Sequence, residues 1–300
     1  MPRDFALRTK VSDYKAPILL VPDHALSVRG EASLVRRLIF HDDHLLIQSF
    51  CRLPVRIRRT NHRVNQQPFP QLLFLLEPPH ACGYLPDRRS MSLFADPRYP
   101  KDKRLQTLLS ENGFRRSGQH LYRPHCRECR ACVSVRVPVA DFQPRRRQRR
   151  VWRRNQDLTI FPRPAVFCEE HFDLYRRYID TRHAKGGMAN PMPAQYAEFL
   201  IAPWAETLFI EFRMDHRLLA IGVVDLLDNG LSAVYTFFDP DYSERSLGVY
   251  AILWSIHEAA RRGLDWLYLG YWIETSPKMC YKSEYRPQEH LQGGKWERRT

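Results

Sequence analysis

The sequence shows little of what a membrane span or a secretory signal needs, and neither is expected. Its apolar pieces ILLV at 18–21 and LLFLL at 72–76 are too short to cross a bilayer, and the start MPRDFALRTK is too polar for a leader. Cysteine is scarce and odd in number, seven in 300 residues. Without a leader these thiols are expected to be reduced, in a cytoplasmic setting, and disulfide staples are unfavoured. Methionine is missing between Met1 and Met91. That gap and the weak periodicity of residues 1–65 suggest a natural start near Val64, with the first 60-odd residues an extension from a misplaced start. A peptide from before Val64 in the native protein would contradict this. A positive excess is missing from the back half, which is nearly neutral: residues 161–300 hold 16 Lys and Arg against 19 Asp and Glu, a net of −3.

The basic balance therefore sits in residues 1–160, with 31 against 14, a net of +17. Such an asymmetry suits a phosphate-rich partner, because arginines that neutralise phosphates release counterions. Arginine dominates over lysine there, which favours bidentate phosphate contacts. A chain of 300 residues with 44% hydrophobic content has material for about two globular domains. The division reads as an extension over 1–65, a cysteine- and arginine-rich domain over 66–160, and a regular domain over 161–300. The region 68–96 is Pro-punctuated and loop-like, and a helix near 31–50 finds no clear partner.

Cys126, Cys129 and Cys132 follow a Cys-x2-Cys-x2-Cys spacing. A zinc ribbon would need two separated pairs; this spacing matches three of four ligands of a cluster-binding loop. Cys82 is the best fourth ligand, with His80 and His125 as alternates. A zinc ion or an iron–sulfur cluster is expected, against the plainer reading of unmetallated thiols, and no organic cofactor. Cys51, Cys168 and Cys280 stand alone. Between 145 and 154 the chain places seven arginines in ten residues. On a helix, Arg145, Arg149 and Arg153 form one stripe and Arg146, Arg150 and Arg154 a second, with Trp152 beside them. Like charges on one face repel, so the run points to an anionic partner. Trp152 either stacks on a base or, more ordinarily, anchors the helix to its own core.

Local signals give a helix over 102–112 closed by Gly113, a turn and short strand over 114–122, and a strand over 133–139 that Pro138 confines to an edge. Residues 169–185 read as an amphipathic helix with Phe172, Tyr175, Tyr178 and Ile179 on one side, ended by Gly186-Gly187. Strands over 208–214, 218–226 and 232–238 follow, the last two joined through Asp228-Asn229-Gly230. After a loop over 239–246 come a helix over 247–262, stopped at Gly263, and an apolar strand over 266–272. Strand, strand, strand, loop, helix, strand is the order of an acetyltransferase-type (GNAT-type) fold, so the fold class is α+β with a mixed sheet. Acetyltransferases cradle the coenzyme A pyrophosphate in an R-x-x-G-x-G/A turn before that helix. Arg245 and Gly248 keep part of the pattern, but Tyr250 fills the last small position and disfavours coenzyme A.

The blocks CGYLPDRRSMSLF at Cys82, GFRRSGQHLYRPHCRECRACVSVRVPV at Gly113, FQPRRRQRRVWRRN at Phe142, LYRRYIDTRH at Leu174, DLLDNGLSAVYTFFDPDYSERSLG at Asp225 and LYLGYWIETSPKMCYKSEYRP at Leu267 together carry a resemblance. From about Phe69 onward the chain resembles the bacterial aspartate/glutamate leucyltransferases, relatives of the eukaryotic arginyl-tRNA–protein transferases. The resemblance implies an acetyltransferase-like catalytic domain behind a cysteine-containing domain. It also implies transfer of leucine from leucyl-tRNA to the α-amino group of proteins with N-terminal Asp or Glu, which marks them for degradation; transfer of arginine is the runner-up. The eukaryotic members show two cysteines in the first loop, where this chain has Cys82 and then Leu85.

That chemistry needs no side-chain nucleophile, since the donor is an activated ester and an α-amine of pKa ~7.7–8.0 is about one-tenth free at neutral pH. It needs positioning, a modest base and oxyanion donors. Asp225, on the central strand, is the candidate to grip or deprotonate the amine, its ordinary alternative being a pair with an arginine. Tyr235 and Tyr271 are candidates to orient the ester. Arg245, Lys278 and Lys282 would meet the acidic side chain or the terminal phosphate, and Tyr281 and Tyr285 would wall the leucine or adenosine pocket. The expected partners are aminoacyl-tRNA and acidic N-termini, with neither membrane nor DNA. A coenzyme A-dependent N-acetyltransferase and a non-catalytic RNA-binding metal protein are the rival classes.

Overall fold

The computed structural model describes residues 72–184 and 188–299. The expected extension over 1–65, the helix near 31–50 and the Gly186-Gly187 stop lie outside the described residues. Strands β1 (Phe74–Leu76), β2 (His80–Ala81), β3 (Arg89–Ser90) and β4 (Ser92–Ala95) lead into helix α1 (Lys103–Glu111) and strands β5 (Arg115–Ser117), β6 (His120–Pro124) and β7 (Val133–Pro138). Next come α2 (Arg146–Arg154), β8 (Thr159–Pro164), α3 (Glu169–Arg182), α4 (Pro193–Leu200), β9 (Thr207–Met214), β10 (Arg217–Leu226) and β11 (Gly230–Phe238). The last elements are α5 (Leu247–Arg261), β12 (Trp266–Trp272), β13 (Gln288–Gln292) and β14 (Lys295–Arg299). No helix among the described residues is long and apolar enough to cross a membrane.

An eight-stranded mixed sheet in the order β14-β13-β7-β12-β11-β10-β9-β8 dominates. Strand β10, whose alternation is interrupted by a register shift between Leu218 and Ala220, sends Leu219, Ala220 and Val224 into a core under α2 and α5, and Leu218, Ile221 and Val223 into a second core under α3 and α4. A four-stranded sheet, β1-β4-β6-β5, makes a third core with α1. Helix α1 starts where the Asp102 carboxylate accepts from Leu105 N at 2.7 Å, buries Leu105 and Leu109 one turn apart, and stops at Gly113, whose φ is +82°.

Several sequence expectations are corrected. The region 68–96 is not loop throughout, because Phe74 and Leu93 are buried on paired strands. Strand β7 is interior, with β12 on one side and β13 on the other. Pro138 is tolerated because β13 pairs only with Val135 and Arg136, so no ladder bond to β13 is lost at the proline. The expected boundary at residue 160 does not divide the large sheet, which takes β7 and β8 from before it or across it. Strands β8, β13 and β14 and helix α4 carry no strong periodic signal and were not foreseen.

Glu211 on β9 is buried, and burial pushes its carboxyl up. Hydrogen bonds from His171 at 2.9 Å and Arg213 at 2.8 Å outweigh that and bring it down to about 2. A carboxyl lowered in the folded state stabilises above its ordinary value of 4.5 and loses that stabilisation as pH falls toward about 2. Glu211→Gln is therefore expected to be less stable than the wild type by on the order of 2 kcal/mol near neutrality, and the gap should narrow between pH 4.5 and pH 2. Urea midpoints across that range measure it; a gap independent of pH would show that the carboxylate charge contributes nothing.

Candidate active site

Strands β11 and β12 run parallel but pair over only three residues, Gly230 with Trp266, Leu231 with Leu267 and Ser232 with Tyr268, and then part. At the same level β12 bulges: its register against β7 shifts between Tyr268 and Gly270, and Gly270 takes a φ of +77°. A glycine in the left-handed region at such a shift is how a strand bulges without a Cβ clash. Into the opening comes the guanidinium of Arg115 from β5. It donates to Leu269 O at 3.0 Å on one side, and to Ala233 O at 2.8 Å and Val234 O on the other.

Arg116, the next residue of β5, points the opposite way. Its fork grips Asp225 through Nε at 2.6 Å and Nη2 at 2.8 Å, while Gln106 Nε2 and Thr207 Oγ1 each donate to the same carboxylate at 2.6 Å. Arg116 and Asp225 are both fully buried. Two adjacent arginines thus latch the small sheet to the large one.

Tyr271 crosses the same junction, its hydroxyl 3.0 Å from both Gly113 O and Tyr122 O. Beside it Lys282 is buried and donates to Tyr271 O at 2.6 Å. Burial, then the neighbouring Arg115 charge, holds the Lys282 amine well below the usual lysine range. At the rim of this region Tyr84 and Tyr281 are 39% and 41% exposed.

The predicted site residues divide by this geometry. Asp225 is buried with its oxygens committed to Arg116, Gln106 and Thr207, so it is a structural anchor and not a base open to substrate. Tyr271 and Lys282 are likewise internal ties. Tyr235 lies among Tyr175, Tyr178 and Phe199, and its buried hydroxyl has no partner among the described residues. Tyr285 belongs to the core and stacks on Phe142, so it walls no open pocket. Arg245 is held by Asp157 at 2.8 and 2.9 Å, and Gly248 lies in the first turn of α5 against Phe238. Tyr250 fills the space behind that turn, packed on Trp152 and Phe212. Lys278 and Tyr281 are exposed.

On α2 the arginines separate cleanly from the packing side. Arg145, Arg146, Arg149, Arg150, Arg153 and Arg154 are exposed, while Gln148, Val151 and Trp152 are buried. Trp152 is 5% exposed and packs on Tyr250 and His257, which leaves it no face for a base. The anchoring alternative describes it.

Cys132 faces Cys126, Cys82 and Cys129, but burial first, and these neighbours next, push its thiol up to about 12. Among the described residues no group of three His, Cys, Asp or Glu is arranged to hold a metal ion. The expected set of Cys82, Cys126, Cys129 and Cys132 does not fit one.

A mixed sheet parted by a half-buried arginine, with a separate helix presenting six exposed arginines, defines an α+β protein with an opened sheet and one strongly basic helix face. Residues 80–150 and 170–292 match the family described as arginine-tRNA-protein transferase, in its N-terminal and C-terminal parts respectively. The chain belongs to the arginine-tRNA-protein transferase family. It is 54% identical over 226 residues to the aspartate/glutamate leucyltransferase of Pseudomonas fluorescens strain Pf0-1, covering 75% of this chain and 96% of that protein. The Pseudomonas aeruginosa LESB58 aspartate/glutamate leucyltransferase matches with the same identity and coverage. Two solved structures overlap loosely. One is the C-terminal domain of a putative lysylphosphatidylglycerol synthetase from Agrobacterium fabrum, with a TM-score of 0.38 and 11% identity over 56% of this chain and 52% of that one. The other is L-PGS from Bacillus licheniformis, at 0.34 and 12% over 55% and 49%. Neither likeness is close enough to carry an argument.

Arg115, Arg116 and Gly270 were missed in the sequence. A paired arginine on a strand and a lone glycine inside the apolar run 266–272 were the available signals.

Proposed function

We propose that this chain transfers leucine from leucyl-tRNA to the α-amino group of proteins that begin with Asp or Glu, and so marks them for degradation. The observation that carries the reading is 54% identity spanning 96% of proteins named aspartate/glutamate leucyltransferase. Two features of the molecule support it. The arginine face of α2 offers sequence-independent contacts to the phosphates of a tRNA body. The opening between β11 and β12, in an acetyltransferase-like sheet, is where the acyl ester and the incoming amine would meet. The amine attacks the ester carbonyl, the tRNA 3′ oxygen leaves with the electron pair of the broken bond, and the ammonium proton passes to water or a nearby base. Holding the two reactants together supplies most of the acceleration, because the ester is already activated.

The family description names arginine, which keeps arginyl transfer as the second reading. Labelled leucyl-tRNA and arginyl-tRNA, offered in turn to peptides beginning with Asp, Glu, Lys or Ala, separate the two. The expected result is leucine on the Asp and Glu peptides only. Arginine transferred in its place selects the second reading, and no transfer from either tRNA overturns both.

A further inference from the structure

Parallel strands that have begun to pair continue to pair unless something prevents it, since each unpaired backbone group at the seam lacks a partner. Strands β11 and β12 begin a parallel ladder at Gly230 and Trp266 and abandon it after Ser232 and Tyr268. Their outer edges remain occupied beyond that point, with Tyr235 opposite Val223 of β10, and Gly270 and Tyr271 opposite Val135 and Ser134 of β7. Only the seam between them is open, and it is there that Arg115 gives its fork to Leu269 O on β12 and to Ala233 O and Val234 O on β11. These carbonyls turn into the seam, Val234 doing so at a bulge of β11 against β10.

The fit is made from both sides. A Cβ placed on Gly270 would lie 1.5 Å from Arg115 Nη1 and 2.7 Å from its Cζ, so the guanidinium occupies the space that a side chain at 270 would need. The bulge that this glycine permits turns β12 away from β11 at the same level. A lysine could not replace the fork, because a single ammonium has no planar pair of nitrogens to span two strands.

We infer that Arg115 is a wedge: it holds β11 and β12 apart and thereby sets the width of the opening in which the ester and the amine are positioned. Arg115 is a positioning residue and does not itself meet substrate. The inference rests on the proposed transfer for its functional consequence and on the seam alone for its structural one.

The test compares Arg115→Ala, Arg115→Lys and Gly270→Ala with the wild-type full chain. It reads melting temperature, steady-state leucyl transfer to an Asp peptide, and amide hydrogen exchange over residues 233–235 and 269–271. Gly270→Ala displaces the fork without altering any charge. For variants that remain folded, kcat should fall at least about tenfold while the KM for leucyl-tRNA stays within about threefold, as expected for misplacement rather than lost binding. Lysine should not rescue, and the seam amides should gain protection as the ladder closes. A wild-type kcat in either Arg115→Lys or Gly270→Ala would overturn the wedge, as would activity that falls only in proportion to folded protein with no gain in protection. If the wild type transfers no leucine, the functional reading fails separately, and exchange alone then decides: protection gained at the seam supports the wedge, and unchanged protection overturns it.

Discussion

Asp225→Ala is expected to cost the fold about 3–5 kcal/mol, because it leaves the Arg116 guanidinium buried without its counter-charge. Against a total stability of roughly 5–15 kcal/mol for a folded domain, that loss should appear as a large drop in urea midpoint or as failure to accumulate folded protein. Asp225→Asn should fare little better, since the amide still receives Thr207 and Gln106 poorly and leaves Arg116 charged. The joint change Arg116→Met with Asp225→Leu should recover part of the loss, because it removes both charges from the interior. An Asp225→Ala protein with unchanged midpoint and only a lower kcat would contradict the anchoring role and restore the carboxylate as a catalytic group.

The second large effect concerns α2. Arg149→Glu combined with Arg150→Glu reverses two exposed charges on the face opposite Val151 and Trp152, so the core packing of the helix is untouched. Affinity for leucyl-tRNA at low salt should fall at least about tenfold, and the slope of log affinity against log salt should fall by between about 1 and 2, as expected for two lost phosphate contacts. The transfer rate at saturating tRNA and the KM for an Asp peptide should stay near wild type. Filter binding at several salt concentrations measures the first two; an unchanged affinity and slope would place the tRNA elsewhere on the molecule.

Much of the large sheet was legible because its signals are local. Asp228-Asn229-Gly230 turns β10 into β11 as a short connection, Gly263 closes the helix before β12, and the apolar run of α5 is buried nearly throughout. The arginine stripes of α2 were legible for the same reason, since i,i+4 spacing fixes a face without reference to the rest of the chain. What could not be read were pairings that join distant segments. Arg116 meets Asp225 across 109 residues and Arg115 meets Leu269 across 154, and nothing local in either strand announces the other. Asp225 therefore looked free on a central strand and proved to be the most thoroughly satisfied carboxylate of the junction. Pro138 looked like an edge marker because the partner that covers β7, the strand at Gln288–Gln292, has no strong β pattern of its own. The cysteine spacing Cys-x2-Cys-x2-Cys places three thiols close in sequence, and Cys132 lies beside Cys126, Cys129 and the distant Cys82, a meeting that the spacing alone does not specify.

The most direct test of the transferase account is mass spectrometry of an Asp-initiated acceptor protein after incubation with this chain and leucyl-tRNA. The account predicts a product heavier by one leucyl residue, with fragmentation placing that residue on the α-amino group and a Lys-initiated acceptor left unchanged. An unmodified Asp acceptor beside intact, folded enzyme and charged tRNA would contradict it.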